Sequence, residues 1–139
     1  MAENEVVKFA TQNLWLIGLA LGSGAMLVWP LLRSGNSVSP NEAVMLINRG
    51  NALVLDVRED AEFAIGHIAD ARHIPLSQLQ GRLGELQKWK DKAILVNCQS
   101  GMRSAKACVV LKKNGFGQVS NLEGGLAAWQ SAKLPVTKA

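Results

Sequence analysis

Cys98, Gly101 and Arg103 lie close together in the middle of the chain, and their types and spacing could support nucleophilic chemistry. The thiolate is the reactive form of cysteine, and a helix N-terminus or a nearby cation lowers the pKa of the thiol. Arg103 carries a permanent charge that can donate two parallel hydrogen bonds to an oxyanion. Gly101 allows a backbone turn that a side chain would hinder. The spacing therefore predicts a reactive thiolate beside an anion-binding loop.

The elements on either side of these residues should position them. The run AILV at 93–96 is short, apolar and rich in branched residues, which is typical of a strand buried on both faces. From Ser104 the apolar residues recur at helical spacing, with lysines near the end and Gly115 as a C-cap. A loop from a strand into a helix presents free backbone N–H groups to an anion. The alternative is that Cys98 is a core residue and Arg103 a solvated charge.

Composition limits the classes of function. The 139 residues suffice for one domain and a short appendage. The formal charge is +4, but the basic residues are scattered and not interleaved with aromatic ones, which argues against a nucleic-acid partner. Two cysteines make neither a disulfide framework nor a metal site, so reduced thiols and no metal or cofactor are expected.

The N-terminal part has the composition of a membrane anchor. No charged residue occurs between Lys8 and Arg33, and residues 14–32 are almost continuously apolar. As a helix this segment would measure about 28 Å, enough to cross the hydrocarbon of a bilayer. Trp15 and Trp29 lie near its ends, where interfacial aromatic residues belong. A cleaved signal peptide fits less well, because acidic residues precede the segment and no small-residue cleavage motif follows it.

We therefore predict an N-terminal tail at 1–13, a single-pass transmembrane helix at 14–32 and a linker at 33–38. Positive charges are slightly more numerous after the helix than before it, which favours a cytoplasmic C-terminal domain. Gly18 and Gly22 form a small-xxx-small pair, a candidate face for a homodimer.

The remaining chain alternates helical and extended patterns. Ser39 followed by Pro40 and Glu42 has the signature of a helix start. Strands are predicted at 52–57, near His73 and at 119–122, and helices lie between them. This alternation predicts an α/β domain with a mainly parallel central sheet and helices on both faces.

Residues 39–136 resemble a single-domain rhodanese. The shared motifs stand in the family's order: LDVRE at 55–59, EF at 62–63, GHI at 66–68, IP at 74–75, CQSGMR at 98–103, LEGG at 122–125, Trp129, and LPV at 134–136. Asp70 departs from the family, which usually has glycine there, and a local change of turn is expected. The anchored arrangement resembles membrane-tethered bacterial rhodaneses, which implies the inner (cytoplasmic) membrane of a bacterium.

The resemblance implies a sulfurtransferase. Cys98 would attack the outer sulfur of a donor such as thiosulfate, carry it as a persulfide and pass it to a thiol or cyanide. Backbone N–H groups would stabilise the persulfide, and Arg103 would bind the anionic part of the donor. Ser104 would cap the following helix and line the pocket. The substrate-binding loop comprises Gln99, Ser100, Gly101, Met102, Arg103 and Ser104.

Other polar and aromatic residues are given structural roles. Asp56 and Arg58 are interpreted as an ion pair that supports the loop, and both histidines, His67 and His73, as structural or surface residues. Cys108 lies on the apolar face of its predicted helix, so it is expected in the core. Trp129 is expected there too.

Two other functions stay open. One is a membrane-tethered binding or scaffold module that uses the same fold to hold a partner, with catalysis weak or incidental. For the enzyme, tethering would instead raise the concentration of the persulfide near a membrane-protein client. The other is a cysteine phosphatase or an arsenate-type reductase, in which five residues separate the cysteine and the arginine. Here four residues separate Cys98 from Arg103, and the smaller loop suits a sulfur atom better than a tetrahedral phosphate.

Overall fold

The computed structural model describes residues 2–33 and 36–138, except for the side chains of residues 2 and 29–33. The chain divides into two compact units, Met1–Ser34 and Gly35–Ala139.

The first unit contains two helices. Helix α1 spans Ala2–Gln12, so the predicted tail is helical in its described part, and helix α2 spans Leu14–Arg33. Within the described residues, no single helix is both long and apolar enough to cross a membrane. The segments Glu3–Gln12 and Leu14–Val28 meet the requirement of length and composition only as a pair, with a bend of 71° between them. The predicted interfacial contact of Trp29 lies outside the described side chains.

The second unit is built on a five-stranded sheet in the order β1-β5-β4-β2-β3, and every pair of neighbours is parallel. The central position of β4 places its carboxyl end in the middle of one edge of the sheet. The strands are β1 (Asn36–Val38), β2 (Leu53–Asp56), β3 (Arg72–His73), β4 (Ala93–Asn97) and β5 (Gln118–Leu122).

Strand β1 corrects the predicted linker at 33–38. Its three residues pair with β5, and Val38 lies opposite Leu122. The sequence analysis missed this strand because only one of its residues is apolar, so it shows no hydrophobic pattern.

Helices cover both faces of the sheet. They are α3 (Pro40–Gly50), α4 (Asp60–Ile65), α5 (Leu76–Leu79) with the 3-10 helix Gln80–Trp89, α6 (Met102–Lys113) and α7 (Gly125–Ser131). The predicted start of α3 is confirmed, because the Ser39 hydroxyl accepts a hydrogen bond from the Glu42 N–H.

The strands β2 and β4 send alternate side chains into two separate cores. Leu55 and Val96 pack in one core, with residues of α5, the 3-10 helix and α6, while Val54 and Leu95 pack in the other, with residues of α3 and α7. Each fully buried aliphatic side chain contributes about 2 kcal/mol relative to exposure. The predicted sheet with helices on both faces is confirmed, and it holds the end of β4 rigidly.

Candidate active site

Cys98 is the first residue after the central strand β4, and its side chain is buried. The chain then turns through Gly101, whose backbone is left-handed with φ of 99°, and helix α6 begins at Met102. We call residues 98–103 the Cys98 loop. The helix begins two residues earlier than Ser104, the predicted start, so Arg103 and Ser104 lie in its first turn.

The thiol of Cys98 lies among hydrogen-bond donors. The backbone N–H of Gly101 donates to Sγ at 3.1 Å, and the hydroxyl oxygen of Ser104 lies 3.3 Å from the same atom. Burial raises the pKa of the Cys98 thiol, but hydrogen bonds from the Ser104 side chain and from the backbone at Ser104, Gly101 and Ser100 outweigh it. The net pKa is lowered, as the sequence analysis predicted.

Ser104 has a different partner from the one expected. The cap residue of α6 is Gly101, without a side-chain cap, so the predicted capping role of Ser104 is wrong. Its hydroxyl instead donates to Oδ1 of Asn121 at 2.5 Å, and Nδ2 of Asn121 donates to the Gly101 carbonyl at 3.2 Å. Asn121 lies on β5, opposite Val96 of β4, and it was not among the predicted site residues. The available signal was an amide side chain near the carboxyl end of the strand predicted at 119–122.

The start of α7 supports the Cys98 loop from behind. The backbone N–H of Leu126 donates to the Cys98 carbonyl at 2.8 Å, and that of Ala127 donates to the Gln99 carbonyl at 3.1 Å. This close approach is possible because residue 125 is a glycine. A Cβ atom there would lie 2.5 Å from the Cys98 carbonyl oxygen. Gly125 of the LEGG motif therefore has a steric role in the site, which the sequence analysis did not assign.

Arg103 forms a bidentate ion pair with Glu62 of α4. Its two terminal nitrogens lie 2.7 and 2.8 Å from the carboxylate oxygens. The hydrogen bond from Arg103 holds the pKa of Glu62 at about 2, against an opposing effect of burial, and the pKa of Arg103 is raised in turn. The cation predicted to bind the donor is thus already paired with a carboxylate.

Asp56 and Arg58 form the predicted ion pair. Both residues are buried, and Nη2 of Arg58 lies 2.8 Å from Oδ2 of Asp56. The same nitrogen donates to the Gly66 carbonyl at 2.7 Å, and Nη1 lies 3.5 Å from Oε1 of Gln99. The pair joins the end of β2 to the turn after α4 and lies beside the Cys98 loop.

The other predicted loop residues face solvent. Gln99, Ser100 and Met102 are exposed, and Met102 keeps 74 % of its surface accessible. Of these three residues, Ser100 acts on the thiol through its backbone, whose hydrogen bond lowers the pKa of Cys98.

The residues given structural roles take part in packing. Cys108 is buried in the core, where burial raises its pKa to about 11, and Trp129 is buried with its indole N–H donating to the Pro135 carbonyl. The rings of His67 and His73 both stack on Phe63, at centroid distances of 3.8 and 4.4 Å. Within residues 2–33 and 36–138, no group of three or more potential ligands could hold a metal ion.

Comparison with known proteins agrees with this geometry. Residues 39–132 match the family model of the rhodanese-like domain. A sulfurtransferase of Allochromatium vinosum is 38 % identical over 91 residues, which cover 66 % of this chain and 83 % of the relative. An uncharacterised protein of Escherichia coli, YibN, is 37 % identical over 102 residues, which cover 73 % of this chain and 71 % of the relative.

A solved structure has the same fold. The crystal structure of a rhodanese-related protein from Thermoplasma volcanium aligns with a TM-score of 0.67 at 34 % identity, over 75 % of this chain and 99 % of the other. The family match covers the strands β2 to β5, the helices α3 to α7 and the Cys98 loop. The chain belongs to the rhodanese-like family, whose named members include sulfurtransferases.

Proposed function

We propose that this protein carries sulfane sulfur as a persulfide on Cys98 and transfers it to a thiol or cyanide. The observation that carries the proposal is the position of Sγ, 3.1 Å from the Gly101 N–H and at the start of α6, where the thiol pKa is lowered. A thiolate held in this way is a nucleophile, and the lowered pKa increases the ionised fraction of Cys98.

With thiosulfate as donor, the Cys98 thiolate attacks the outer sulfur. A bond forms between Sγ and that sulfur, the sulfur–sulfur bond of thiosulfate breaks, and its electron pair leaves with sulfite. In the second step the acceptor attacks the outer sulfur of the persulfide, and the electron pair of the breaking bond returns to Sγ as a thiolate. The N–H groups of the Cys98 loop stabilise the negative charge in both steps.

Arg103 has a supporting place in this scheme. Because Glu62 occupies its two terminal nitrogens, an anionic donor would have to share or displace that carboxylate. We propose that the backbone N–H groups make the first contact with the donor. Arg103 then supplies a nearby positive charge.

The test uses the intact chain in detergent with its cysteines reduced. Incubation with thiosulfate should add the mass of one sulfur atom, and cyanide should remove it. The chain has two cysteines, which provide a matched pair of variants. Cys98→Ser should not load sulfur, whereas Cys108→Ala should load normally. Sulfur loading on Cys98→Ser, or no loading on the folded wild type, would contradict the proposal and favour a binding role without catalysis.

We further propose that residues 14–32 anchor the protein in the inner membrane of a bacterium, with the rhodanese-like domain in the cytoplasm and a membrane protein as its client. The apolar composition of this segment supports the proposal. The chain should stay with the membrane fraction after alkaline carbonate extraction. The double variant Leu19→Lys/Leu21→Lys should be released. Equal retention of the wild type and this variant in the membrane fraction would contradict the anchor.

The pair Gly18 and Gly22 is proposed as the contact of a homodimer in the membrane. Cross-linking of the intact chain in vesicles should yield a dimer. The Gly22→Leu variant should yield markedly less, and an equal yield would exclude this face.

A further inference from the structure

The hydroxyl of Ser104 has one proton and two neighbours that could accept it. Oδ1 of Asn121 lies 2.5 Å from the hydroxyl oxygen, and Sγ of Cys98 lies 3.3 Å away. The orientation of the Asn121 amide is fixed by its other contact, because Nδ2 must donate to the Gly101 carbonyl at 3.2 Å. Oδ1 is therefore an acceptor directed at Ser104.

The direction of these bonds depends on the state of the sulfur. When Cys98 is a thiol, its S–H donates to the Ser104 oxygen and the Ser104 hydroxyl donates to Oδ1 of Asn121. Both donors then have an acceptor. When Cys98 is a thiolate, Sγ needs the Ser104 proton, and Asn121 loses its donor. In the persulfide Sγ is bonded to a second sulfur and carries little charge, so the proton returns to Asn121.

We propose that Asn121 is a positioning residue that competes with Cys98 for the Ser104 proton and thereby favours the thiol and persulfide states over the thiolate. The consequence is retention of the carried sulfur. Sulfur leaves when an acceptor thiolate bonds to the outer sulfur, the bond from that sulfur to Sγ breaks, and its electron pair stays on Cys98. A better stabilised Cys98 thiolate is a better leaving group, so the competition by Asn121 slows discharge.

Other charged and titratable groups face the same sulfur or its loop, and they must be kept constant in a test. On α6 these are Arg103, with its partner Glu62 from α4, and the thiol of Cys108. The Asp56–Arg58 pair approaches from β2 through Gln99. None of them contacts Asn121 through a hydrogen bond among the described residues.

The first measurement is the pH titration of the Cys98 thiolate by its ultraviolet absorbance, in the intact chain with Cys108→Ala as background. Asn121→Val removes the acceptor and keeps a residue suited to a strand. It should increase the thiolate fraction about three- to tenfold at a pH below the midpoint, because the Ser104 proton no longer has to leave one neutral hydrogen bond. Asn121→Asp keeps an acceptor and adds negative charge, so it should decrease the thiolate fraction.

A double-mutant cycle separates this competition from a general loosening of the loop. With Ser104→Ala there is no proton to compete for, so adding Asn121→Val should leave the titration unchanged. The matched control is Ser120→Ala on the same strand, which should titrate as the wild type. The proposal would be overturned if Asn121→Val shifted the Cys98 titration equally with and without Ser104. It would also be overturned if Asn121→Val caused no shift in the protein that keeps Ser104.

The effect on sulfur retention rests on the proposed function, and it is measured separately. The persulfide of Asn121→Val should discharge to a thiol about two- to threefold faster than that of the wild type. Equal or slower discharge would overturn the retention role. Failure of the folded wild type to form a persulfide would contradict the proposed function, while the titration would still decide the role of Asn121.

Discussion

At the scale of single residues, the site depends on side chains that meet from separate elements. Cys98 and the ion pair of Asp56 and Arg58 could be found from the sequence because each lies in a short motif at the end of a strand. Glu62 and Asn121 could not be assigned in this way, because they reach the Cys98 loop from α4 and β5. Their contacts depend on the order of strands in the sheet, which local patterns do not specify.

The buried arginine should be among the residues most sensitive to substitution. Arg58→Ala leaves the Asp56 carboxylate buried without its partner, which should cost about 3–5 kcal/mol in the free energy of unfolding. Arg58→Lys should also be destabilised, because one ammonium cannot reach both Asp56 and the Gly66 carbonyl.

Urea denaturation measures these changes. Arg82→Ala is the matched control, because Arg82 forms an exposed ion pair with Glu85 and its loss should have little effect. Equal stabilities of the Arg58 and Arg82 variants would contradict the role given to the buried pair.

The pair of Glu62 and Arg103 should make the domain sensitive to acid. The pKa of Glu62 is about 2 in the folded protein against an ordinary 4.5. Its contribution is therefore complete above pH 4.5 and is lost as the pH falls towards 2. Glu62→Gln should lack this part of the pH dependence of stability, as measured by denaturant unfolding at several pH values. If the free energy of unfolding depended on pH in the same way in the wild type and the variant between pH 4.5 and 2, the pair would not cause the acid sensitivity.

At the scale of elements, the start of α7 determines the shape of the Cys98 loop. The strands predicted at 52–57, 93–96 and 119–122 agree with β2, β4 and β5 to within one residue at each end, and the capping residues predicted α3. The sequence analysis expected a helix between β3 and β4, and the structure has α5 followed directly by a 3-10 helix. No sequence pattern showed that α7 would donate two backbone N–H groups to the loop, because backbone contacts of this kind carry no side-chain signature.

Gly125 should therefore not tolerate a side chain. Gly125→Ala would place Cβ 2.5 Å from the Cys98 carbonyl oxygen, at a residue with φ of 61°. We expect a loss of about 1–3 kcal/mol in stability and slower sulfur loading, because the Cys98 loop must shift.

Thermal unfolding and the loading assay check this expectation. Gly84→Ala is the control, since a Cβ there meets nothing within 4 Å. If the two variants behaved alike, the close approach of α7 would have no energetic importance.

At the scale of the whole molecule, the boundary of the folded domain differs from the one predicted. The sequence analysis placed its start at residue 39, but β1 begins at Asn36 and pairs with β5. The motifs of the family begin after this strand, and so does the matched region, residues 39–132. A domain boundary taken from motifs alone would omit β1.

Two truncations should distinguish these boundaries. A chain of residues 35–139 should fold and load sulfur like the intact protein. A chain of residues 39–139 should be less stable and aggregate more readily, because it leaves the edge of β5 unpaired. Unfolding midpoints and light scattering would measure the difference, and identical behaviour would mean that β1 is dispensable.

The pairing of β1 with β5 also sets the order of events during synthesis. The first strand of the sheet leaves the ribosome long before its partner, since β1 ends at Val38 and β5 begins at Gln118. Contacts so distant along the chain form late, after the entropy of closing the intervening loop has been overcome. The nascent domain therefore keeps β1 without its partner until β5 has been synthesised, and a ribosome that stalls before Gln118 would hold a chain whose sheet cannot be completed.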